Sequence, residues 1–379
     1  MDKSMFSGLS PLKQALLELD DEQVFFLLKA AQHRSEGTKT ASKSELFQLP
    51  PVAKARLESL KKQERLPGMH LNDDDLKWMR YAKLLEKTPL NPALHKAVDD
   101  RVLYTEIKAK CMEKHLAPDF AKAIVPSVIQ FLQGEPMQPL LFSGPPGTGK
   151  TTAGQFLAEW LSLPLALISA PRAETGHGYS GEGKTFKGAD VGEIASNIFR
   201  NRSMSNLFLI DEVDKAAQKL DNRVRQQDEL LNIVFDRRVE DNFLEFPISL
   251  ERSPFVFAVN DIGSLSNPFI DRCMVIEFPS VQLERMHLII RDFTASLLEK
   301  RFKEKVIFHD QLLCDGVTAL HKKGVASIRQ HQQLVRNAID CAYVRYLEST
   351  SHSAAEVLDS DVRNAVERLS GSSQRSIGF

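Results

Sequence analysis

The feature that most constrains the fold is a nine-residue segment that fits the pattern G-x-x-x-x-G-K-[ST]. The apolar run 139–143 precedes it and is typical of a buried strand, while 153–161 has apolar residues at helical spacing. Strand, glycine loop and helix form the context in which this pattern binds phosphate, so a chance glycine-rich turn is a much weaker interpretation. The nine residues are Gly144, Pro145, Pro146, Gly147, Thr148, Gly149, Lys150, Thr151 and Thr152.

The chemistry of this segment favours the phosphates of a nucleotide. Its glycines let backbone N–H groups turn toward a phosphate chain, and the N-terminus of the following helix adds partial positive charge there. Lys150 can reach the β- and γ-phosphates, and Thr151 can offer its hydroxyl to Mg²⁺. We therefore expect 144–152 to bind nucleotide and Thr151 to contribute to a metal site.

Two further apolar runs end in polar side chains that suit the same chemistry. The run 207–210 is followed by Asp211 and Glu212, and 255–259 is followed by Asn260. Strand C-terminal ends face the ligand crevice of an α/β sheet, so we expect Asp211 to meet Mg²⁺ and Glu212 to orient and deprotonate the attacking water. Asn260 would lie between the γ-phosphate and that water. The alternatives are a structural salt-bridge role for the carboxylates and a turn role for Asn260.

Two arginines complete the candidate catalytic set. Arg272 precedes the last apolar strand pattern, where a fixed guanidinium would stabilise charge on a transferring phosphoryl group. Supplied from a neighbouring subunit, it would make hydrolysis depend on assembly. The alternative is an internal ion pair with Asp271 or Glu277. Arg329, near the start of a helical pattern, is the candidate second γ-phosphate sensor, and an exposed helical arginine is the competing interpretation.

The segment 176–188 is too rich in glycine for a regular element. It is expected to present Tyr179 and Phe186 on mobile backbone, with Lys184 and Lys187 on either side of Phe186. Two interpretations remain open. Either this is a surface loop whose phenylalanine folds back onto the body of the protein, or it is a loop that grips substrate.

Composition narrows the functional classes. The net charge of −1 leaves no global electrostatic attraction to nucleic acid or to an anionic membrane. No apolar run approaches the ~18 residues of a membrane span and no secretory signal opens the chain, so we expect no membrane partner. The four scattered cysteines indicate free thiols in a reducing, cytoplasmic compartment. Cys111 and His115, one helical turn apart, are better explained as ordinary helix residues than as half a metal site.

The order of the patterns predicts an α/β fold, with a parallel P-loop NTPase sheet sandwiched by helices, then an all-α lid, and an all-α N-terminal region before it. In that region we expect helices at 12–19 and 22–31, a linker at 35–44, and a charged helix at 52–64 that is better explained as solvated than as a nucleic-acid site. Asp73, Asp74 and Asp75 are expected to start a further helix rather than bind metal. The expected domains are 1–100, a helical region that binds a partner or substrate; 101–280, the nucleotide-binding domain; 281–370, the helical lid; and 371–379, a disordered tail.

In this order, the candidate residues resemble those of the AAA+ ATPases, which carry a phosphate loop, an acidic strand, a sensor asparagine, an arginine finger and a helical lid with a sensor arginine. The likeness spans about 95–350. Its closest match is the ATPase module of Lon proteases, to which the phosphate loop, 183–188, 207–215 and 271–277 are similar.

The resemblance implies ATP and Mg²⁺ as cofactors, ATP hydrolysis, and a homo-oligomer that is expected to be a hexamer. It also implies that Phe186 is the pore-loop aromatic that grips a threaded protein, with Lys187 standing where Lon proteases have an apolar pore residue. Only 50 residues follow Arg329, too few for the peptidase domain of Lon proteases, so we expect no protease activity of its own.

The leading hypothesis is an ATP-hydrolysing machine that remodels or unfolds a protein partner. The alternative is a DNA-associated assembly ATPase of clamp-loader-like or transposition type, which the near-zero net charge and the lack of a basic–aromatic stripe disfavour. A third hypothesis is a nucleotide-gated scaffold that barely turns ATP over. Glu212 argues against it, since a scaffold needs no placed base.

Overall fold

A computed structural model describes residues 46–66, 69–90, 99–117, 119–215, 220–303, 305–349 and 353–373. The helices expected at 12–19 and 22–31 and the linker expected at 35–44 lie outside these ranges. The chain divides into two compact units. The first comprises the chain up to Ser143 together with Lys150–Glu277, and the second comprises Gly144–Gly149 together with Phe278–Phe379.

The described part of the first unit contains seven strands. In chain order they are β1 (Leu140–Ser143), β2 (Leu165–Ser169), β3 (Leu207–Asp211), β4 (Arg238–Asp241), β5 (Phe246–Ser249), β6 (Phe255–Val259) and β7 (Met274–Glu277). Five of them form a parallel sheet in the order β2-β3-β6-β1-β7, and β4 pairs with β5 in an antiparallel hairpin. The three central strands are apolar and buried almost throughout, because a parallel strand covered on both faces has no side toward solvent.

The register of the sheet aligns the carboxyl ends of its central strands. Asp211, the last residue of β3, pairs with Ala258 of β6, and Ser143, the last residue of β1, pairs with Val259. The residues that follow these three strands therefore leave the sheet at one edge, which is where ligands bind in folds of this kind.

Helices precede the sheet in the chain, alternate with its strands and pack against it. In chain order they are α1 (Pro51–Glu64), α2 (Asp73–Leu85), α3 (Asp100–Glu113), α4 (Phe120–Leu132), α5 (Lys150–Trp160), α6 (Ala170–Thr175), α7 (Glu193–Asn201), α8 (Leu220–Phe235) and α9 (Asn267–Asp271). This architecture confirms the predicted α/β class with an all-α N-terminal region.

The helices α1 and α2 share one hydrophobic core with the sheet. Trp78 of α2 is fully buried, and its indole N–H donates to the carbonyl of Leu244 at 2.8 Å. Asn72 caps α2 by accepting a hydrogen bond from the backbone N–H of Asp75 at 2.7 Å, so the acidic run 73–75 does begin a helix. The described part of 1–100 thus packs as part of the first unit, and a separate binding role for it stays a proposal.

The sequence suggested that Cys111 and His115 lie one turn apart on a helix. In the structure only Cys111 lies within a helix. Cys111 is buried within α3, and burial raises the pKa of its thiol to about 12. His115 follows the end of that helix with a left-handed φ of 49°. In the described ranges, no group of three His, Cys, Asp or Glu side chains is arranged to hold a metal ion.

The second unit is a helical bundle with one short parallel strand pair. Its elements are α10 (Leu283–Arg301), β8 (Val306–Ile307), α11 (Asp310–Lys322), α12 (Ile328–Glu348), β9 (Ala355–Glu356) and α13 (Asp359–Ser373). The predicted helical C-terminal region is thereby confirmed. The helix α13 continues to Ser373, past residue 371 where the disordered tail was expected to begin, and 374–379 lie outside the described residues. Across the described ranges, no helix combines the length and apolar character that crossing a membrane requires.

Candidate nucleotide-binding site

Lys150 begins α5, immediately after the glycine loop in the chain, and is only 7% exposed. Its Nζ donates a hydrogen bond to Oδ1 of Asn260 at 3.0 Å. Asn260 follows β6 at the carboxyl edge of the sheet. The fold therefore brings together the predicted phosphate-binding lysine and the predicted sensor asparagine. Because the amide is neutral, this hydrogen bond does not neutralise the charge of the ammonium.

Thr151 and Asp211 form the second pair at this edge. The hydroxyl of Thr151 donates to Oδ2 of Asp211 at 3.2 Å. Hydroxyl and carboxylate oxygens are ligands that suit Mg²⁺, which is commonly held by one or two carboxylates and completes its shell with water and substrate phosphates. The two side chains therefore fit the predicted metal site. Thr152, the last residue of the predicted nucleotide-binding segment, lies in α5 and is exposed.

Glu212 adopts a strained backbone conformation directly after β3. Its φ is 60°, in the left-handed region that a non-glycine residue rarely occupies, and its N–H donates to Oδ1 of Asp211 at 2.9 Å. Such strain is concentrated at functional sites. The Glu212 side chain is 38% exposed and accepts a hydrogen bond from Lys215 at 2.5 Å. An exposed pair of this kind contributes little to stability, so a purely structural role for Glu212 is poorly supported.

Asp214 is a residue of this site that the sequence analysis did not single out. Its Oδ2 accepts a hydrogen bond from the backbone N–H of Asn260 at 3.1 Å. The carboxylate therefore fixes the chain at the asparagine whose amide meets Lys150. The signal was present as the third acidic residue in the run Asp211-Glu212-Val213-Asp214.

The glycine loop packs with the second unit. Its Gly147 has a φ of 76°, and the carbonyl of Gly147 accepts a hydrogen bond from the backbone N–H of Ile328 at 3.0 Å. A Cβ on Gly147 would lie 2.2 Å from Oγ of Ser327, so only glycine fits there. Within the loop, the hydroxyl of Thr148 donates to the carbonyl of Pro145 at 2.9 Å. Arg329, the candidate sensor arginine, is exposed. It directly follows Ile328, the residue that contacts the loop.

Arg272 is exposed and caps the C-terminus of α9. Its guanidinium lies over the ring of Phe235, with Cζ 4.8 Å from the ring centroid. Within the described chain it forms no ion pair, so the internal pairs considered with Asp271 and Glu277 are not made. Among the described residues, Arg272 also makes no hydrogen bond with either pair of site residues, Lys150 with Asn260 or Thr151 with Asp211.

The loop that carries Phe186 is more ordered than its glycine content suggested. Tyr179 is completely buried, so the expectation that the loop presents it is wrong. The backbone N–H of Glu182 donates to the carbonyl of Asp190 at 3.0 Å and closes the loop at its base. Phe186 is 65% exposed and does not fold back onto the body of the protein. Lys187 is exposed as well.

Carboxylates of the β4–β5 hairpin contact this loop and the segment that follows it. Asp241 accepts hydrogen bonds from three backbone N–H groups, those of Gly192, Phe243 and Leu244. Burial raises the pKa of Asp241 to about 6, against the opposing effect of these hydrogen bonds. Lys184, two residues before Phe186, donates to Glu245 at 3.1 Å. No sequence pattern marked these residues, because the contacts join segments that are far apart in the chain.

Comparison with known proteins agrees with this geometry. The family model described as "ATPase family associated with various cellular activities (AAA)" matches 140–280. Lon protease 4 of Sorangium cellulosum is 32% identical over 207 residues, which are 53% of this chain and 25% of that protein. A Lon protease of Methanosphaera stadtmanae is 26% identical over 319 residues, 78% of this chain and 38% of that protein.

A solved structure of a RuvB mutant from Thermotoga maritima is 18% identical to this chain. It covers 66% of this chain and 69% of its own, with a TM-score of 0.44, a likeness too low to support an argument.

The stretch 140–280, which carries the phosphate loop and the acidic strand end, forms a domain similar to those of the AAA ATPase family. That domain is similar to the ATPase module of Lon proteases, as the sequence analysis predicted. The chain spans about a quarter to two fifths of the length of these two relatives.

Proposed function

We propose that this chain hydrolyses ATP at a site that a neighbouring copy completes, and that hydrolysis drives the remodelling or unfolding of a protein partner. The observation that carries the proposal is the pair of contacts at one sheet edge, Lys150 with Asn260 and Thr151 with Asp211. They bring a cation, an amide, a hydroxyl and a carboxylate to the carboxyl ends of neighbouring strands, where a bound triphosphate would need them.

Each of these side chains has a role in nucleotide binding. The backbone N–H groups of Gly144–Gly149 would donate to the phosphates, and Lys150 would release its contact with Asn260 to bind the β- and γ-phosphates. Thr151 and Asp211 would hold Mg²⁺, which neutralises part of the phosphate charge when it is bound. Arg329 keeps its proposed role as the second sensor of the γ-phosphate, and its neighbour Ile328 bonds to Gly147 of the loop.

Glu212 is the proposed general base. Its carboxylate is partly exposed, and within the described residues it pairs with one cation, Lys215, in the same turn. It would accept a proton from the attacking water, while the side-chain amide of Asn260 orients that water beside the γ-phosphate. Asp214 fixes the backbone of Asn260 by accepting a hydrogen bond from its N–H. The left-handed backbone of Glu212 supports this role, because strained conformations are concentrated at functional sites.

Arg272 is proposed to act on the nucleotide of a neighbouring copy. It is exposed and forms no ion pair in the described chain, so its charge is available to another molecule. A guanidinium supplied in this way stabilises the charge that develops on the transferred phosphoryl group. A closed ring, with a hexamer as the proposed size, would place one such arginine at every nucleotide.

The exposed aromatic loop supports a protein as the partner. Phe186 presents most of its ring to solvent on a loop that is fixed at its base, and Lys187 lies beside it. An aromatic side chain held in this way can contact an extended polypeptide without a large entropic cost. We propose that this pair of residues grips the partner during each cycle of hydrolysis.

The proposed reaction is tested by the variant Glu212→Gln. It is expected to bind ATP and assemble as the wild type does but to lose hydrolysis by about two to three orders of magnitude, since an amide cannot accept the proton. Glu240→Gln, at an exposed position of β4, is the matched control. Near-wild-type turnover by Glu212→Gln would assign the base to another residue.

Two further conditions in the same assay separate the hypotheses. The specific activity is expected to fall on dilution, because each site needs its neighbour. Addition of double-stranded DNA is expected to leave the rate unchanged, whereas clear stimulation would favour the DNA-associated alternative.

A further inference from the structure

The backbone that carries Arg272 is fixed to the core at several points. Phe269 of α9 is completely buried and packs edge-on against Phe257 of the central strand β6, with ring centroids 4.8 Å apart. The residue after the arginine, Cys273, is also buried and donates its N–H to the carbonyl of Ile270 at 3.0 Å. The main chain at Arg272 therefore belongs to a rigid element, as a precisely placed functional group requires.

The helix α9 runs along α8 and contacts it near both ends. Before α9, the backbone N–H of Ser266 donates to Oε1 of the buried Gln227 at 2.9 Å. After α9, the guanidinium of Arg272 lies over the ring of Phe235 at 4.8 Å. Gln227 and Phe235 are eight residues apart, about 12 Å along a helix. Phe235 thus supplies a contact between α8 and the C-terminal end of α9.

Phe235 is 67% exposed at the end of its helix. Exposure of one such ring has no structural consequence by itself. Here the ring face is occupied by a cation, and the cation has no acidic partner within the described chain. A long arginine side chain without such a contact would sample many rotamers, and ordering it at an interface would cost conformational entropy.

We propose that Phe235 is a positioning residue for Arg272. Its ring holds the guanidinium in one extended arrangement at the surface, so that the arginine enters the pocket of the neighbouring copy already ordered. This inference rests on the proposed role of Arg272 and adds to it the residue that orients the arginine. In this proposal Phe235 acts through Arg272 and not on the nucleotide directly.

The test compares two replacements of the ring. Phe235→Leu keeps apolar bulk but removes the π face, and Phe235→Trp keeps a π face. At saturating ATP, Phe235→Leu is expected to lower kcat about three- to tenfold, while KM for ATP and the oligomeric state by analytical ultracentrifugation stay as in the wild type. Phe235→Trp is expected to keep kcat within about twofold of the wild type. Thermal unfolding checks that both variants fold.

A double-mutant cycle makes the test specific for Arg272. In an Arg272→Ala background, where the residual hydrolysis is measured at high enzyme concentration over long times, Phe235→Leu is expected to cause no further loss, because the ring would have nothing left to orient. A loss of the same size in both backgrounds would overturn the inference. A wild-type kcat in the assembled Phe235→Leu protein would also overturn the inference. A defect that disappears at high protein concentration would overturn it as well, since that would make Phe235 an assembly residue.

Failure of this inference is distinguishable from failure of the proposed function. Wild-type protein that does not hydrolyse ATP, or Arg272→Ala protein that hydrolyses it normally, would contradict the proposed function. The comparison of Phe235→Leu with Phe235→Trp in an active protein tests the positioning role alone.

Discussion

Lys150 and Asn260 are 110 residues apart in the chain, yet a hydrogen bond of 3.0 Å joins the Nζ of the lysine to Oδ1 of the asparagine. The contact exists because β1 and β6 are neighbours in the sheet and end at the same edge. The two side chains therefore face one volume, although they are predicted to act at different stages of the reaction. Lysine is expected to bind ATP, and asparagine is expected to orient the water that attacks it.

Separate replacement of these two residues should divide binding from turnover. Lys150→Ala is expected to abolish ATP binding, because the charge that attracts the phosphates is lost. Asn260→Ala is expected to keep ATP affinity within a few fold and to lower kcat about a hundredfold, because a group that acts mainly in the transition state is lost. Equilibrium ATP titration and steady-state kinetics check both. Retained binding in Lys150→Ala would contradict the assignment of the phosphate loop.

The proposed metal site predicts a shift in the Mg²⁺ dependence of hydrolysis. Thr151→Ala removes one of the two oxygen side chains, and the Mg²⁺ concentration for half-maximal ATPase activity is expected to rise at least about tenfold. Thr151→Ser keeps the hydroxyl and serves as the matched control, with a midpoint near that of the wild type. Chelation of Mg²⁺ is expected to stop hydrolysis in all three proteins. Equal midpoints for Thr151→Ala and Thr151→Ser would contradict a role of this hydroxyl at the metal.

Local sequence predicted the parts of the site that depend on one segment. Lys150, Asp211 and Asn260 each follow a buried apolar run, and such a run fixes both the strand and the edge at which it ends. The parallel sheet followed from the alternation of strand and helix patterns. The catalytic roles of these residues stay predictions that the proposed variants test.

Contacts between distant segments could not be predicted in this way. Tyr179 lies among glycines, which indicated mobile backbone, but tertiary packing buries it completely. The bond from Asn260 to Asp214 and the stacking of Arg272 on Phe235 each join two elements. No local pattern records such pairs, because their geometry depends on how the helices and strands pack.

Replacement of Gly147 in the phosphate loop is predicted to be costly. In Gly147→Ala, the left-handed φ would strain the backbone and the new Cβ would meet Oγ of Ser327, so the melting temperature is expected to fall by about 2–8 °C and ATP affinity to fall with it. Gly183→Ala is the control, because the nearest atom to its Cβ would be Oγ1 of Thr185, at 3.9 Å. Ser327→Gly is expected to restore part of the loss. Equal effects of the two alanine variants would contradict the strain argument.

Phe186 is predicted to couple hydrolysis to work on the partner. The test substrate is a folded fluorescent protein with an unstructured tail. In Phe186→Ala, the number of substrate molecules unfolded per ATP hydrolysed is expected to fall at least about fivefold. Phe186→Tyr keeps the ring and should retain the coupling. Val344→Ala, at a position on α12 that is 51% exposed, controls for the loss of exposed apolar surface. Unchanged coupling in Phe186→Ala would refute the gripping role.

The most direct test of a site built from two copies is complementation between two inactive variants. Lys150→Ala cannot bind ATP but still offers Arg272, whereas Arg272→Ala binds ATP but offers its neighbour no guanidinium. Co-expressed in equal amounts, they are expected to recover up to about a quarter of the wild-type rate, because about that share of neighbouring pairs in a ring combines an intact pocket with an intact arginine. A mixture that stays as inactive as each variant alone would contradict a nucleotide site shared between copies.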